Sequence, residues 1–186
     1  MTEDDLKDLL CGVPQIMEIL TIIRNLALAD SCLAAGCIRN LIWNFLSGKS
    51  LFDEHTDVDV IFFDQAISYE ETQALAEQLK RNYPNYDWEL KNQAHMHLHN
   101  PNTLPYLNSS DAIARFPETC TAIGAFLTDM DQLTIVAPYG LADIVSFIVR
   151  PTPYFTETPD KLAIYRARLT KKNWQEKWPN LKIVYE

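Results

Sequence analysis

The sequence predicts an α/β (α+β) chain in which strands and amphipathic helices mix within one 186-residue unit. Three observations carry this. Residues 57–63 read Asp-Val-Asp-Val-Ile-Phe-Phe, a short, near-continuous β-branched and aromatic run of the kind buried in a sheet. Apolar stripes of helical period flank it at 4–28 and 69–82. Shorter strand patterns follow at 86–91, and at 122–127 and 133–136 about the turn residues Thr128-Asp129-Met130-Asp131.

Taken in order, Asp4 and Asp5 suit a helix start, and Leu6, Leu9 and Leu10 form its stripe. Gly12 and Pro14 interrupt it, and Pro14 opens a second helix through Ile16, Ile19, Leu20 and Ile23. Cys32–Ala35 is a brief extended piece. Gly36 turns into a helix from about Ile38 to Leu46, ending at Ser47-Gly48. Residues 48–55 read as a loop, and Asp64 ends the strand that follows it. Tyr83-Pro84-Asn85 stops the helix at 69–82, and Trp88 and Leu90 share one face of the next strand. Residues 100–107 are a Pro-rich loop, and Ser109 or Ser110 caps a short helix over Asp111–Phe116. Tyr139–Val149 and Thr158–Asn173 read as helices, with an edge strand at Leu181–Tyr185. The simplest parse is a single domain over 1–186, with an N-terminal helical segment to about residue 30 and a C-terminal helical extension over about 156–186.

The chemistry-bearing stretch is 33–63. On a strand, Asp57 and Asp59 would lie side by side on one face while Val58 and Val60 turn to the other. Two parallel carboxylates at the head of a buried strand are costly unless a cation lies between them. Mg²⁺ (or Mn²⁺), which takes one or two carboxylates together with phosphate oxygens, fits that need. The bland alternative is a solvated strand start. The helix entered at Gly36 supplies free N–H groups suited to phosphate. Arg39 in its first turn opposes the usual charge preference there, which makes sense if it meets an anion. On the strand at 86–91, Asp87, Glu89 and Lys91 share a face. If that strand neighbours 57–63, Glu89 can join Asp57 and Asp59 in a three-carboxylate cluster; otherwise it is a solvated edge.

Other features weigh as structure. A net charge of −9 argues against general nucleic-acid binding, which needs a basic face. Cys11, Cys32, Cys37 and Cys120 contain no Cys-x-x-Cys pair and read as thiols of a reducing cytoplasm. No apolar run approaches the length of a membrane span, and the acidic start does not resemble a signal peptide. His95, His97 and His99 alternate and would share a face if the strand continued, giving a zinc option; a polar loop is the preferred reading. Arg166, Arg168, Lys171 and Lys172 read as a solvated helix end favoured by the helix dipole. Asp143 stands in an apolar setting that calls for a partner.

Ala35-Gly36, Ile38-Arg39-Asn40, Trp43, Thr56-Asp57-Val58-Asp59-Val60 and Phe63-Asp64 together resemble the nucleotidyltransferase superfamily related to DNA polymerase beta. The likeness is nearest to a bacterial branch once described only as a domain of unknown function. Trp88-Glu89-Leu90-Lys91-Asn92-Gln93-Ala94 with Met96-His97, Ala112 to Pro117-Glu118-Thr119, Ala137-Pro138-Tyr139-Gly140-Leu141 with Asp143, Tyr165-Arg166 and Trp178-Pro179 extend it over roughly residues 30–182. The resemblance implies a mixed sheet flanked by helices. It implies Asp57, Asp59 and Glu89 as catalytic and metal-holding acids, and Gly36, Cys37, Arg39, Asn40 and Lys91 at the nucleotide. The partner it implies is a nucleoside triphosphate, with ATP the expected one, whose nucleotidyl group passes to a hydroxyl acceptor that the sequence leaves open. The alternative is a non-catalytic nucleotide-binding or regulatory module on the same fold. Many members carry Gly-Ser or Gly-Gly at the turn, where this chain has Gly36-Cys37. A thiol is a weak donor, so the phosphate grip is expected to fall to Arg39, Asn40 or backbone N–H groups.

Overall fold

The computed structural model describes residues 1–53, 55–99 and 103–186. Helix α1 (Glu3–Cys11) starts at a capping box: Thr2 Oγ1 accepts from the Asp5 N–H, and Asp5 Oδ2 accepts from the Thr2 N–H. Pro14 occupies the first position of α2 (Pro14–Asn25), where its missing N–H costs nothing. There follow β1 (Cys32–Ala34), α3 (Gly36–Leu46), β2 (Val58–Phe62), α4 (Tyr69–Asn82, capped by Ser68 and Glu71) and β3 (Trp88–Asn92). Next come α5 (Gln93–Met96), which leads into a 3-10 turn, α6 (Ser109–Ala114), β4 (Gly124–Leu127) and β5 (Leu133–Val136). The chain ends with α7 (Ala142–Val145), β6 (Ile148–Val149), α8 (Pro153–Thr156), α9 (Pro159–Lys172), α10 (Trp174–Lys177) and β7 (Lys182–Ile183).

Among the described residues the main sheet has the order β3-β2-β1-β4-β5. Its β2–β3 pair is parallel, bridged by α4, and its other pairs are antiparallel, so the sheet is mixed as expected. Both faces are covered. Leu33 of β1 and Val58, Val60 and Phe62 of β2 enter a large core with α2, α3 and the C-terminal helices. Cys32, Ala34 and Ile61 enter a smaller cluster with Ile113 and Ala122. This two-sided burial is why the strand reads as a nearly unbroken apolar run. Gly124 permits the close approach of β4 and β1 to α6: a Cβ there would stand 2.8 Å from Ile113 Cδ1 and 3.3 Å from the Leu33 carbonyl oxygen.

The C-terminal helices pack on α3 through tryptophans. Trp43 of α3 is fully buried, meets Trp178 and Trp174 edge-on at 5.0 and 6.0 Å, and donates Nε1–H to the Ile144 carbonyl. Trp178 Nε1 donates to Asn44 Oδ1 at 3.1 Å. β7 adds in parallel to β6.

Several expected elements differ. α3 begins at Gly36, two residues nearer the turn than a start at Ile38 would place it, roughly 3 Å of helical rise. Residues 139–149 do not form one helix: α7 is short, and Phe147 takes a positive φ of 55° before β6. Asn108, rather than Ser109 or Ser110, caps α6, accepting from the Asp111 N–H. The histidine segment is helical, so His95 and His97 do not alternate along a strand. His95 Nε2 lies 2.8 Å from the Ile67 carbonyl, and the strand-borne zinc option is withdrawn. The Pro-rich loop reading falls in part on residues 100–102, and the loop over 48–55 includes residue 54; both lie outside the described residues. Among the described residues no helix is long and apolar enough to cross a membrane.

Candidate active site

A cavity of about 410 Å³ opens between the start of α3, the head of β2 and the C-terminal helices. Gly36, Arg39, Asn40, Asp57 and Asp59 all line it. The fold therefore brings the turn and the acid pair to one place.

The turn works differently from the expectation in one respect. Its unusual backbone sits on Ala35, at φ 55° and ψ −115°, with the Ala35 N–H bonded to the Ile123 carbonyl. That conformation belongs to glycine-rich primed turns and is strained for a residue with a Cβ. Gly36 is already helical. Its use is space: a Cβ there would project to 3.6 Å from Arg39 Nη2 and 3.8 Å from Asp59 Oδ2. The first N–H groups of α3 have no partner four residues back within the helix, and they start at this cleared wall.

Cys37 is corrected. Its side chain is buried in the main core and does not line the cavity, and burial pushes the thiol up to about 12. It cannot supply a side-chain contact to phosphate, so the missing hydroxyl of the Gly-Ser pattern has no substitute at this position.

Arg39 is the central cation. It is 4% exposed, and among the described residues it forms no ion pair with a carboxylate. Thr121 Oγ1 accepts from Nη1 at 2.9 Å, and Asn40 Oδ1 accepts from Nη2 at 2.8 Å and from Nε at 3.2 Å. Asn40 Nδ2 in turn donates to Thr56 Oγ1, tying the guanidinium to the loop before β2. Burial lowers the Arg39 pKa from its ordinary value. A buried guanidinium held by neutral acceptors and exposed only to a cavity is suited to an anionic ligand.

Asp59 faces the cavity from β2, and burial raises its carboxyl pKa above the ordinary value of 3.8. Glu89 and Lys91 do not reach this cavity. β2 and β3 are neighbours, with Asp59 directly opposite Glu89, but the Glu89 carboxylate is bonded to Lys91 Nζ at 2.5 Å. Among the described residues no three metal-ligating side chains are gathered into a metal site. Two carboxylates beside a space for phosphate are a donor set of the kind a divalent cation takes, while the expected third acid, opposite Asp59 on β3, is bonded to Lys91.

Residues not foreseen complete the walls. Arg168 and Lys172, one turn apart on α9, line the cavity with Lys177 and Trp174 of α10. Arg168 Nε donates to the fully buried Glu118 Oε1 at 2.8 Å, and among the described residues Glu118 Oε2 has no hydrogen-bond partner. Lys177 pairs with Asp53. The i, i+4 spacing of Arg168 and Lys172 was the available signal, but the tail's docking on Trp43, which gives the stripe its target, is a tertiary fact. Arg166, by contrast, bonds the Tyr185 carbonyl away from the cavity. Asp143 finds the partner its setting called for, accepting from Thr119 Oγ1 at 2.6 Å and pairing with Arg150 at 2.8 Å.

A mixed sheet whose second strand carries Asp59, with Asp57 just before it, beside a helix turn is the arrangement of the nucleotidyltransferase fold of the polymerase beta type. The chain belongs to a nucleotidyltransferase family, whose model matches residues 21–183. It is similar, at 51% identity and a TM-score of 0.93, to an NMR structure described as revealing a CCA-adding enzyme head domain; the match covers 98% of this chain and 96% of that one. A CCA-adding enzyme in complex with CTP matches with a TM-score of 0.61 at 14% identity, covering 96% of this chain. A tRNA nucleotidyltransferase complexed with a primer tRNA and an incoming ATP analogue gives 0.51 at 16% identity, covering 89% of this chain. These last two show likeness of fold alone, and this chain spans 43% and 46% of their lengths. No curated protein matches the sequence.

Proposed function

We propose that the cavity binds a nucleoside triphosphate with a divalent cation and transfers its nucleotidyl group to a hydroxyl acceptor. The single observation behind this reading is that Asp57 and Asp59 line the same 410 Å³ cavity as Gly36 and the buried Arg39, which among the described residues pairs with no carboxylate. A cation site and an anion site of fixed geometry face one space, which is what a metal–triphosphate requires. The family match and the CTP-bound neighbour of the same fold support the class of substrate.

The start of α3 offers N–H groups to the phosphates, Arg39 and Arg168 offset their charge, and Asn40 and Thr121 hold Arg39 in place. Asp57 and Asp59 are the residues that would hold Mg²⁺ (or Mn²⁺), which when bound offsets charge on the transferring phosphoryl group. In the reaction, the acceptor oxygen bonds to the α-phosphorus and gives up its proton to water. The bond from the α-phosphorus to the bridging oxygen breaks, and pyrophosphate leaves with the electron pair. The acceptor carries a hydroxyl, and the chain's net charge of −9 argues against extended docking of a nucleic-acid backbone.

A second reading, nucleotide binding without turnover, is favoured by one observation: Glu89 is engaged by Lys91 rather than free beside the acid pair. Pyrophosphate release separates the two. The protein is incubated with Mg²⁺ or Mn²⁺, each of the four ribonucleoside triphosphates, and hydroxyl acceptors including RNA 3′ ends, small alcohols and protein. Release above the Asp57→Asn background supports transfer. Binding of nucleotide with no release for any acceptor overturns transfer in favour of the second reading.

A further inference from the structure

Lys91 stands between the acid pair and the carboxylate expected to join it. β2 and β3 run parallel with Asp59 opposite Glu89, so the two carboxylates leave neighbouring strands on one face. Lys91, two residues beyond Glu89, shares that face. Its Nζ lies 2.5 Å from Glu89 Oε2 and 3.9 Å from Asp59 Oδ1. The strands also divide the space. Asp57 and Asp59 line the 410 Å³ cavity, whereas Glu89 and Lys91 line a separate groove of about 520 Å³ between β3 and α4, beside Thr72, Ala76 and Lys80. The Lys91 ammonium bonded to Glu89 Oε2 already supplies that carboxylate with a cation.

We infer that Lys91 is a resident counter-ion that withdraws Glu89 from the metal site, leaving the divalent cation to be held by Asp57 and Asp59 and completed by the nucleotide's phosphates. This rests on the reading that the acid pair holds a divalent cation. Two carboxylates with no third protein ligand make a weak site for a strongly hydrated ion, and phosphate oxygens supply what is missing. The cation then enters with the nucleotide, and the protein without nucleotide holds little of it. Lys91 is a positioning residue here, acting through the metal's ligand set.

Mn²⁺ binding to the full chain, read by electron paramagnetic resonance with and without a non-hydrolysable ATP analogue, tests this apart from activity. In the wild type the analogue should tighten Mn²⁺ binding by about tenfold or more, and Glu89→Gln should change the affinity for Mn²⁺ alone by less than about twofold. Lys91→Met should tighten binding of Mn²⁺ alone by about tenfold, because Glu89 is released to the pair, and the Lys91→Met, Glu89→Gln double variant should return to the wild-type value. Thermal melts of each variant report folding, and the conservative Glu89→Gln change in the wild type stands on its own if Lys91→Met proves unstable. A loss of about tenfold or more on Glu89→Gln, matching Asp57→Asn, would make Glu89 a ligand and overturn the inference while leaving the proposed function intact. Mn²⁺ binding that is absent with and without the analogue, or indifferent to Asp57→Asn, would instead remove the metal reading itself.

Discussion

The Arg39 guanidinium carbon stands 4.2 Å from the centroid of the Trp174 ring. Trp43 meets the same cation at 5.1 Å, so the first turn of α3 and the C-terminal α10 close on one buried charge. A desolvated cation over an aromatic face gains on the order of 2 kcal/mol. The C-terminal helices thus have two effects: they shelter Arg39 from water, and they carry Arg168 and Lys172 to the cavity wall.

Docking of that tail is tested by Trp178→Phe. The change keeps the ring but deletes the donor to Asn44 Oδ1, an acceptor on a residue 2% exposed. Leaving it unpaired should cost about 1–3 kcal/mol. At about 2–4 °C per kcal/mol for a chain of this size, a fall in melting temperature of several degrees is expected in calorimetry. A change within error would show that the tail is held otherwise.

The turn makes a paired prediction. Ala35→Gly relieves a positive φ on a residue with a Cβ and should stabilise by about 1 kcal/mol in urea denaturation. Gly36→Ala adds a methyl in ordinary contact with Arg39 Nη2 and Asp59 Oδ2 and improves helix propensity, so stability should hold or rise by up to about 1 kcal/mol. The same methyl occupies the space cleared for phosphate, and nucleotide affinity should drop by about tenfold or more, roughly 1.4 kcal/mol. Loss of stability without loss of affinity would contradict the role given to Gly36.

Asp59 carries a pH signature. Its folded pKa lies above the ordinary 3.8 because burial disfavours the charged form, so the native state binds more protons than the unfolded state between those two values. Stability from this group is therefore greatest below 3.8, falls as pH rises through the folded pKa, and stays lower at neutral pH. Asp59→Asn should raise the melting temperature at pH 7 in the absence of metal, and the gain should vanish below the ordinary carboxyl pKa. The Lys91 ammonium keeps its bond to Glu89 in that variant and so does not reverse the sign. A lower melting temperature at pH 7 would contradict the assignment.

The order of strands and helices through β5 was largely legible in the sequence, because each segment's own periodicity agrees with its burial. Val58, Val60 and Phe62 turn to one core and Ile61 to the other, and the apolar run states as much. The grouping of Gly36, Arg39 and the acid pair was legible in their motifs, the glycine turn into a helix and the spaced acids that resemble the nucleotidyltransferase superfamily, and not in periodicity. What could not be read depends on contacts between distant residues. Cys37 goes to the core because α3 begins at Gly36 and rotates it inward. Glu89 is claimed by Lys91, a choice among charges on one strand face that alternation alone does not make. The short elements over 139–156 are fixed by packing, and the Arg168–Lys172 stripe acquires its target only through Trp43 and Trp178.

Calorimetric titration of the protein with Mg²⁺–nucleoside triphosphates, wild type beside Asp57→Asn, tests the central claim most directly, since both residues named as the metal pair and the buried Arg39 line one cavity. Saturable binding of at least one triphosphate is expected in the wild type, weakened by about tenfold or more by Asp57→Asn and also by omission of the divalent cation. Wild-type protein that binds no triphosphate with Mg²⁺ or Mn²⁺, or binds equally after Asp57→Asn, would contradict it.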